Sequence, residues 1–126
     1  MSKRLRALPD GTAPIGPYSL AAEANGFVYL AGQAGVNPDG SIPESIAEQT
    51  RVTMQRLQSV LAAMDLGFEN VVKTSIFLVD MDDFAPMNEV YATFFDSDLP
   101  ARTTVAVASL PLKDLRVEID MVAARS

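Results

Sequence analysis

The chain contains no cysteine and no histidine. The first absence excludes disulfides and thiolate nucleophiles, and the second excludes a Ser-His-Asp triad. Together they remove the usual nitrogen and sulfur ligands of a zinc site. General acid–base work falls to carboxylates, tyrosine, lysine or a bound water. No apolar run approaches the ~20 residues of a membrane span. Basic charge is scarce, with ten Lys and Arg against sixteen Asp and Glu and a net charge of −6. Only "KRLR" (3–6) is dense in cations, and a basic strand edge accounts for it. A nucleic-acid surface needs clustered cations, so none is expected. The opening "MSKRLRALPDG" has basic residues with no apolar stretch behind them. No secretory signal is expected, and the cytoplasm is the default location. What remains is an ordinary folded composition, 48% apolar and 21% charged over 126 residues. It suits one compact domain spanning 1–126.

The order of elements follows from local patterns. A short strand is expected near 3–8, then a loop, then the irregular "TAPIGPYS" (12–19). Two strands flank Asn25-Gly26, the pair that a type I′ hairpin turn favours because both central residues need positive φ. Residues 44–65 read as a helix: Ile46, Thr50, Thr53, Leu57, Val60, Leu61 and Met64 recur at three- and four-residue spacing, and Gly67 is placed to end it. "ENVVKTSIFLVD" (69–80) reads as a strand. Asp82 or Asp83 can cap a second helix running to about Phe95, with Phe84, Met87, Tyr91, Phe94 and Phe95 as its apolar positions. "ARTTVAVAS" and "DLRVEIDMVA" close the chain as strands.

The order β-ββ-α-β-α-ββ predicts an α+β fold, one six-stranded sheet with two helices on one face. The other face is expected to carry Arg102, Thr104, Ala106, Glu118 and Asp120. Small apolar residues beside charges fit a subunit interface with a cleft in it better than a solvated surface.

"IGPYS" (15–19), "LAGQ" (30–33), "VVKTSIFLVDMDDFAPMNEVYATFF" (71–95), "PARTTVAVASLP" (100–111) and "VEID" (117–120) stand in one colinear order. As a set they resemble the RidA family, the reactive intermediate deaminases also called YjgF. The resemblance implies a chorismate-mutase-like fold with a mixed sheet. It implies a homotrimer with clefts between subunits and a small-molecule substrate. The implied reaction is hydrolysis of 2-enamine or 2-imine acids to 2-keto acids and ammonia, with no cofactor and no metal. Such intermediates arise when pyridoxal-phosphate enzymes dehydrate serine or threonine.

The family's motif arginine falls on Arg102, which then grips the substrate carboxylate through its planar fork. The motif glutamate falls on Glu118, which holds the attacking water. Tyr18 of "GPYS" and Asn88 of "APMNEVY" match residues associated with the site. Gly32 can offer a backbone N–H to the ligand. Two positions depart from the pattern: Ala31 stands where serine is frequent, and Thr104 where cysteine is. A backbone N–H at 104 still serves, whereas the serine hydroxyl at 31 is lost. Blander roles compete at every position. Arg102 can pair with Glu118 or Asp120, Glu118 with Arg102 or Arg116, Tyr18 can sit at an interface rim, and Asn88 can bond backbone. Phe84 and Met87 read as core.

An alternative function is a non-catalytic keto-acid-binding regulator of the same fold, which needs Arg102 but not Glu118. A third is the ribonuclease label the family has carried. An acidic chain without histidine offers it little, and Asp80, Asp82 and Asp83 read as a turn and a helix cap.

Overall fold

The computed structural model describes residues 3–125. Its strands are β1 (Lys3–Leu5), β2 (Ala21–Ala24), β3 (Phe27–Ala34), β4 (Val71–Leu78), β5 (Ala101–Ala106) and β6 (Val117–Ala124). The helices are α1 (Ile46–Ala63) and α2 (Phe84–Ala92), each next to a short 3-10 turn, Phe68–Asn70 after α1 and Met81–Asp83 before α2. The strands form one sheet in the order β1-β2-β3-β6-β4-β5. β4 and β5 pair parallel and the other neighbours antiparallel, so the sheet is mixed. Among the described residues no helix is long and apolar enough to cross a membrane.

The hairpin between β2 and β3 turns on Asn25 and Gly26, with φ of 53° and 81°, as a type I′ turn requires. Helix α1 begins at Ser45, whose hydroxyl accepts from the Glu48 N–H. It buries Met54, Leu57, Val60 and Leu61 against the sheet. Buried Val28, Leu30, Ile76, Leu78, Val117, Ile119 and Met121 answer from β3, β4 and β6. Met87 and Tyr91 of α2 join the same core, so both helices cover one face of the sheet.

A buried amide ties this core to its loops. Gln49 Nε2 donates to the carbonyls of Pro43 and Asp114, and its Oε1 accepts from the Arg116 N–H at 2.7 Å. Gly35 packs its backbone on the same residue; a Cβ there would lie 2.7 Å from the Gln49 Cα.

Several boundaries differ from expectation. β1 is three residues long, and α1 is shorter at both ends. The helix ends not at Gly67 but at Asp65, which takes φ of 60°. The Asp65 N–H reaches the Ala62 carbonyl and the Leu66 N–H the Leu61 carbonyl, the paired bonds of a Schellman ending. β4 starts at Val71 because 68–70 form the 3-10 turn. α2 stops at Ala92, and Phe94 and Phe95 beyond it pack edge-on against Phe68. Asp83 does precede α2, but its carboxylate makes no cap bond and pairs with Arg116 instead.

A positive φ costs an aspartate about 1 kcal/mol that a glycine does not incur. Asp65→Gly is therefore expected to stabilise the fold by about that amount. Urea unfolding checks it, and a lower midpoint would mean that the Asp65 side chain contributes more than its backbone costs.

Candidate functional site

β6 is flanked on both sides by long strands, and its sequence alternates strictly. Val117, Ile119, Met121 and Ala123 are buried beneath the helices. Glu118, Asp120, Val122 and Ala124 therefore emerge on the helix-free face. Glu118 lies opposite Ala34 of β3 and Phe77 of β4.

The register of β3 shifts between Leu30 and Gln33, a bulge of the kind that re-aims side chains. Gly32 stands in it, and a Cβ at this position would come within 2.5 Å of Glu118 Oε2. The glycine lets the carboxylate lie across the strand. Tyr18 follows the tight turn in which its own N–H bonds the Gly16 carbonyl, and its side chain is 47% exposed.

Tyr18, Ala31, Gly32 and Glu118 line one open cleft of about 400 Å³, walled mostly by apolar groups that include Pro14, Ile15, Val36, Leu112 and Leu115. Sequence reasoning gave these wall residues no role, although Ile15 opens the "IGPYS" motif and Leu115 lies in the run read as the last strand. The one cation in the cleft is Arg56, already engaged with Gln33 Oε1 and the Val36 carbonyl. Burial, then the charge of Asp120, pushes the Glu118 carboxyl above its ordinary 4.5.

Arg102 and Thr104 are elsewhere. The parallel register places Arg102 beside Thr74, Thr104 beside Ile76 and Ala106 beside Leu78. These three β4 residues are buried on the helix side. Arg102, Thr104 and Ala106 thus share the face that the helices occupy, which corrects the expectation that they accompany Glu118. The β5 residues that do share the Glu118 face are Thr103 and Val105, paired with Ser75 and Phe77. Within one chain the motif arginine and the motif glutamate lie on opposite faces of the sheet.

The Arg102 guanidinium sits over two rings of α2, 5.5 Å from the centroid of Phe84 and 5.1 Å from that of Tyr91. Phe84 is 39% exposed, so it is not the core residue that was expected, whereas Met87 is fully buried. Asn88 lies on the same strip of α2, one turn after Phe84 and one before Tyr91. Its Oδ1 is buried without a partner among the described residues. The spacing 84, 88, 91 is visible in sequence, but only the register of β5 shows what it faces.

The competing structural roles can now be judged. Among the described residues the salt bridges are Arg51 with Glu48, Arg116 with Asp83 and Arg125 with Glu23. Arg116 is thus bound to Asp83, through two bonds of 2.6 and 3.1 Å, and not to Glu118. Neither Glu118 nor Asp120 pairs with Arg102, and among the described residues no carboxylate forms a salt bridge with it. Asp80 bonds the Asp82 N–H in a local turn. Among the described residues no three potential ligands gather at a metal-binding spacing.

A family model described as endoribonuclease L-PSP matches residues 9–125. The protein mmf2 of Schizosaccharomyces pombe is 44% identical over 111 residues, 86% of this chain and 88% of the relative. The mouse 2-iminobutanoate/2-iminopropanoate deaminase is 41% identical over 113 residues, 88% of this chain and 83% of the relative. The crystal structure of the Escherichia coli YjgF gene product superposes with a TM-score of 0.90 at 34% identity, covering 98% of this chain and all of the other.

Proposed function

The chain belongs to the RidA family, the group described by the L-PSP model, and from that premise we propose that it hydrolyses 2-imino and 2-enamino acids to 2-keto acids and ammonia. The observation that carries this reading is a pair of charged groups, Arg102 and Glu118, without an ion-pair partner among the described residues. Arg102 holds a free guanidinium fork where the chain's other half-buried arginines are engaged. Glu118 holds a carboxylate in a mainly apolar cleft with no cation bound to it. The partly buried Glu118 carboxylate is costly to leave in place unless something binds there, and the Arg102 fork keeps its donors available for an anion.

The two groups meet only if a second copy brings its β5 edge to the Glu118 cleft. The helix-free face is suited to that contact. Tyr29, Phe27 and Val105 are exposed on it, the first by 51%, and a closed ring of three copies would cover them. In the composite cleft Arg102 of one subunit binds the substrate carboxylate with two parallel hydrogen bonds. The backbone N–H groups of Gly32 and Thr104, Tyr18 and Asn88 surround the ligand. Its alkyl side chain meets the apolar wall at Ile15 and Leu112. Protonation makes the imine carbon electrophilic, and water held by Glu118 adds to it. Glu118, which took a proton from the adding water, returns it to the nitrogen; the carbinolamine then breaks its C–N bond, ammonia leaves, and the hydroxyl gives up its proton to Glu118 as the keto-acid carbonyl forms. A carboxyl whose pKa is raised, as burial raises that of Glu118, is a better proton acceptor than an ordinary one. Ala31 offers no hydroxyl here, so the oxygen of the adduct relies on backbone donors. The ribonuclease name of the family model gains nothing from this cleft, whose residues include no histidine.

The test is to add the protein to a threonine dehydratase reaction and follow ammonia or keto-acid release. Acceleration is expected, with an acidic limb where Glu118 takes up a proton. The Asp120 charge raises that pKa, so Asp120→Asn should let Glu118 ionise more easily and move the limb to lower pH. An unmoved limb would remove Glu118 from the proton-transfer step. Calorimetric binding of 2-ketobutyrate without turnover of any imine would replace the enzyme with a keto-acid-binding regulator.

A further inference from the structure

A cation used to hold a substrate must be fixed in place without being neutralised. A carboxylate partner would fix Arg102 but occupy its donors and cancel its charge. Aromatic faces do neither, since they attract the cation from above and leave the N–H groups in its plane free. We infer that Phe84 and Tyr91 form an aromatic clamp that positions Arg102 for carboxylate binding. The inference rests on the deaminase reading and extends it to two residues on α2.

Three contacts close the clamp into a loop. The Arg102 backbone lies in register with Thr74 on the neighbouring strand. The Thr74 hydroxyl and the Tyr91 phenol share a buried hydrogen bond of 2.8 Å. The Tyr91 ring then lies 5.1 Å from the guanidinium carbon. The same strand pair that sets the Cα of the arginine therefore also sets the ring beneath its tip. Tyr91 is buried and fixed by Thr74, whereas Phe84 borders solvent and supplies the second ring. Both are positioning residues.

Phe84 is the better probe because it is partly exposed and its loss spares the core. Phe84→Leu is expected to raise the dissociation constant of 2-ketobutyrate, and KM for the imino acid, by about 3- to 10-fold, the range of a partly desolvated cation–π contact. Phe84→Trp, which keeps a ring, should restore most of the affinity. Tyr91→Phe keeps the ring but frees it from Thr74, and a smaller rise of about 2- to 3-fold is expected. The deciding measurement is a double-mutant cycle, since coupled residues are non-additive. In an Arg102→Ala background Phe84→Leu should have no further effect on keto-acid binding, and a merely structural role would persist there. If Arg102→Ala weakens binding while Phe84→Leu and Tyr91→Phe bind as wild type does, the clamp is wrong and the deaminase reading stands. If the wild-type protein neither binds 2-ketobutyrate nor turns over imines, both fall together.

Discussion

Under the proposed function, Arg102→Ala is expected to lose kcat/KM for imino-acid hydrolysis by about 10²- to 10³-fold while the fold persists. The size follows from what is removed. Two charge-assisted hydrogen bonds to a carboxylate in a partly dry cleft are together worth about 3–4 kcal/mol, and each 1.36 kcal/mol is tenfold in rate. Stability should change far less. Arg102 lies on the edge strand β5 and is not fully buried, and among the described residues no carboxylate loses a salt bridge when it goes. Arg102→Lys should recover part of the loss, because an ammonium restores the charge without the two-pronged geometry. Initial rates across an imine concentration series, with circular dichroism and mass measurement on the same samples, check the prediction. Retention of full activity by Arg102→Ala would end the proposed role.

The second large effect is a recovery. Arg102 and Glu118 occupy opposite faces of one sheet, so each proposed site takes its arginine from one subunit and its glutamate from the next. Arg102→Ala and Glu118→Ala should each be nearly inactive when made alone. Coexpressed, they should regain activity. In a closed ring of three, every mixed ring has one junction where an intact arginine meets an intact glutamate, and random mixing restores about a quarter of the wild-type sites. Mixed rings carrying distinguishable tags can be purified and assayed directly. Inactive mixed rings would mean that both residues serve one subunit's site, which would require β5 to reverse its faces.

The same pair of faces shows what the sequence could and could not reveal. The alternation in "VEIDMVAA" is enough to separate Glu118 from the core, since buried and exposed positions differ sharply along a central strand. The Asn25-Gly26 turn and the apolar stripe of α1 are equally local, and both stand where they were expected. β5 is different. Alternation groups Arg102 with Thr104 and Ala106 but does not say which face the group takes. On an edge strand both faces carry mixed residues: Val105 is exposed, and the arginine lies on the helix side. Only the register with β4, a pairing between distant segments, decides it. Phe84 reads as core in sequence for a related reason, because an aromatic at helical spacing looks the same whether it packs on leucine or on a guanidinium. Asp65 gives no signal of its own in sequence, because the glycine two residues later is the usual helix terminator.

The Gln49 amide has a consequence in time as well as in space. It joins the loop at Pro43, the segment at Asp114 and the start of β6 at Arg116 to the body of α1. Leu112 and Leu115, which wall the cleft, flank one of these anchor points. A wall held in this way does not fray separately from the helix. The Arg116 amide, donating to a side chain that is 1% exposed, should exchange its hydrogen only on the slow timescale of whole-subunit opening. The Leu112–Leu115 side of the cleft is thereby tied to the helix, and in the proposed site it would meet a substrate side chain as a standing surface.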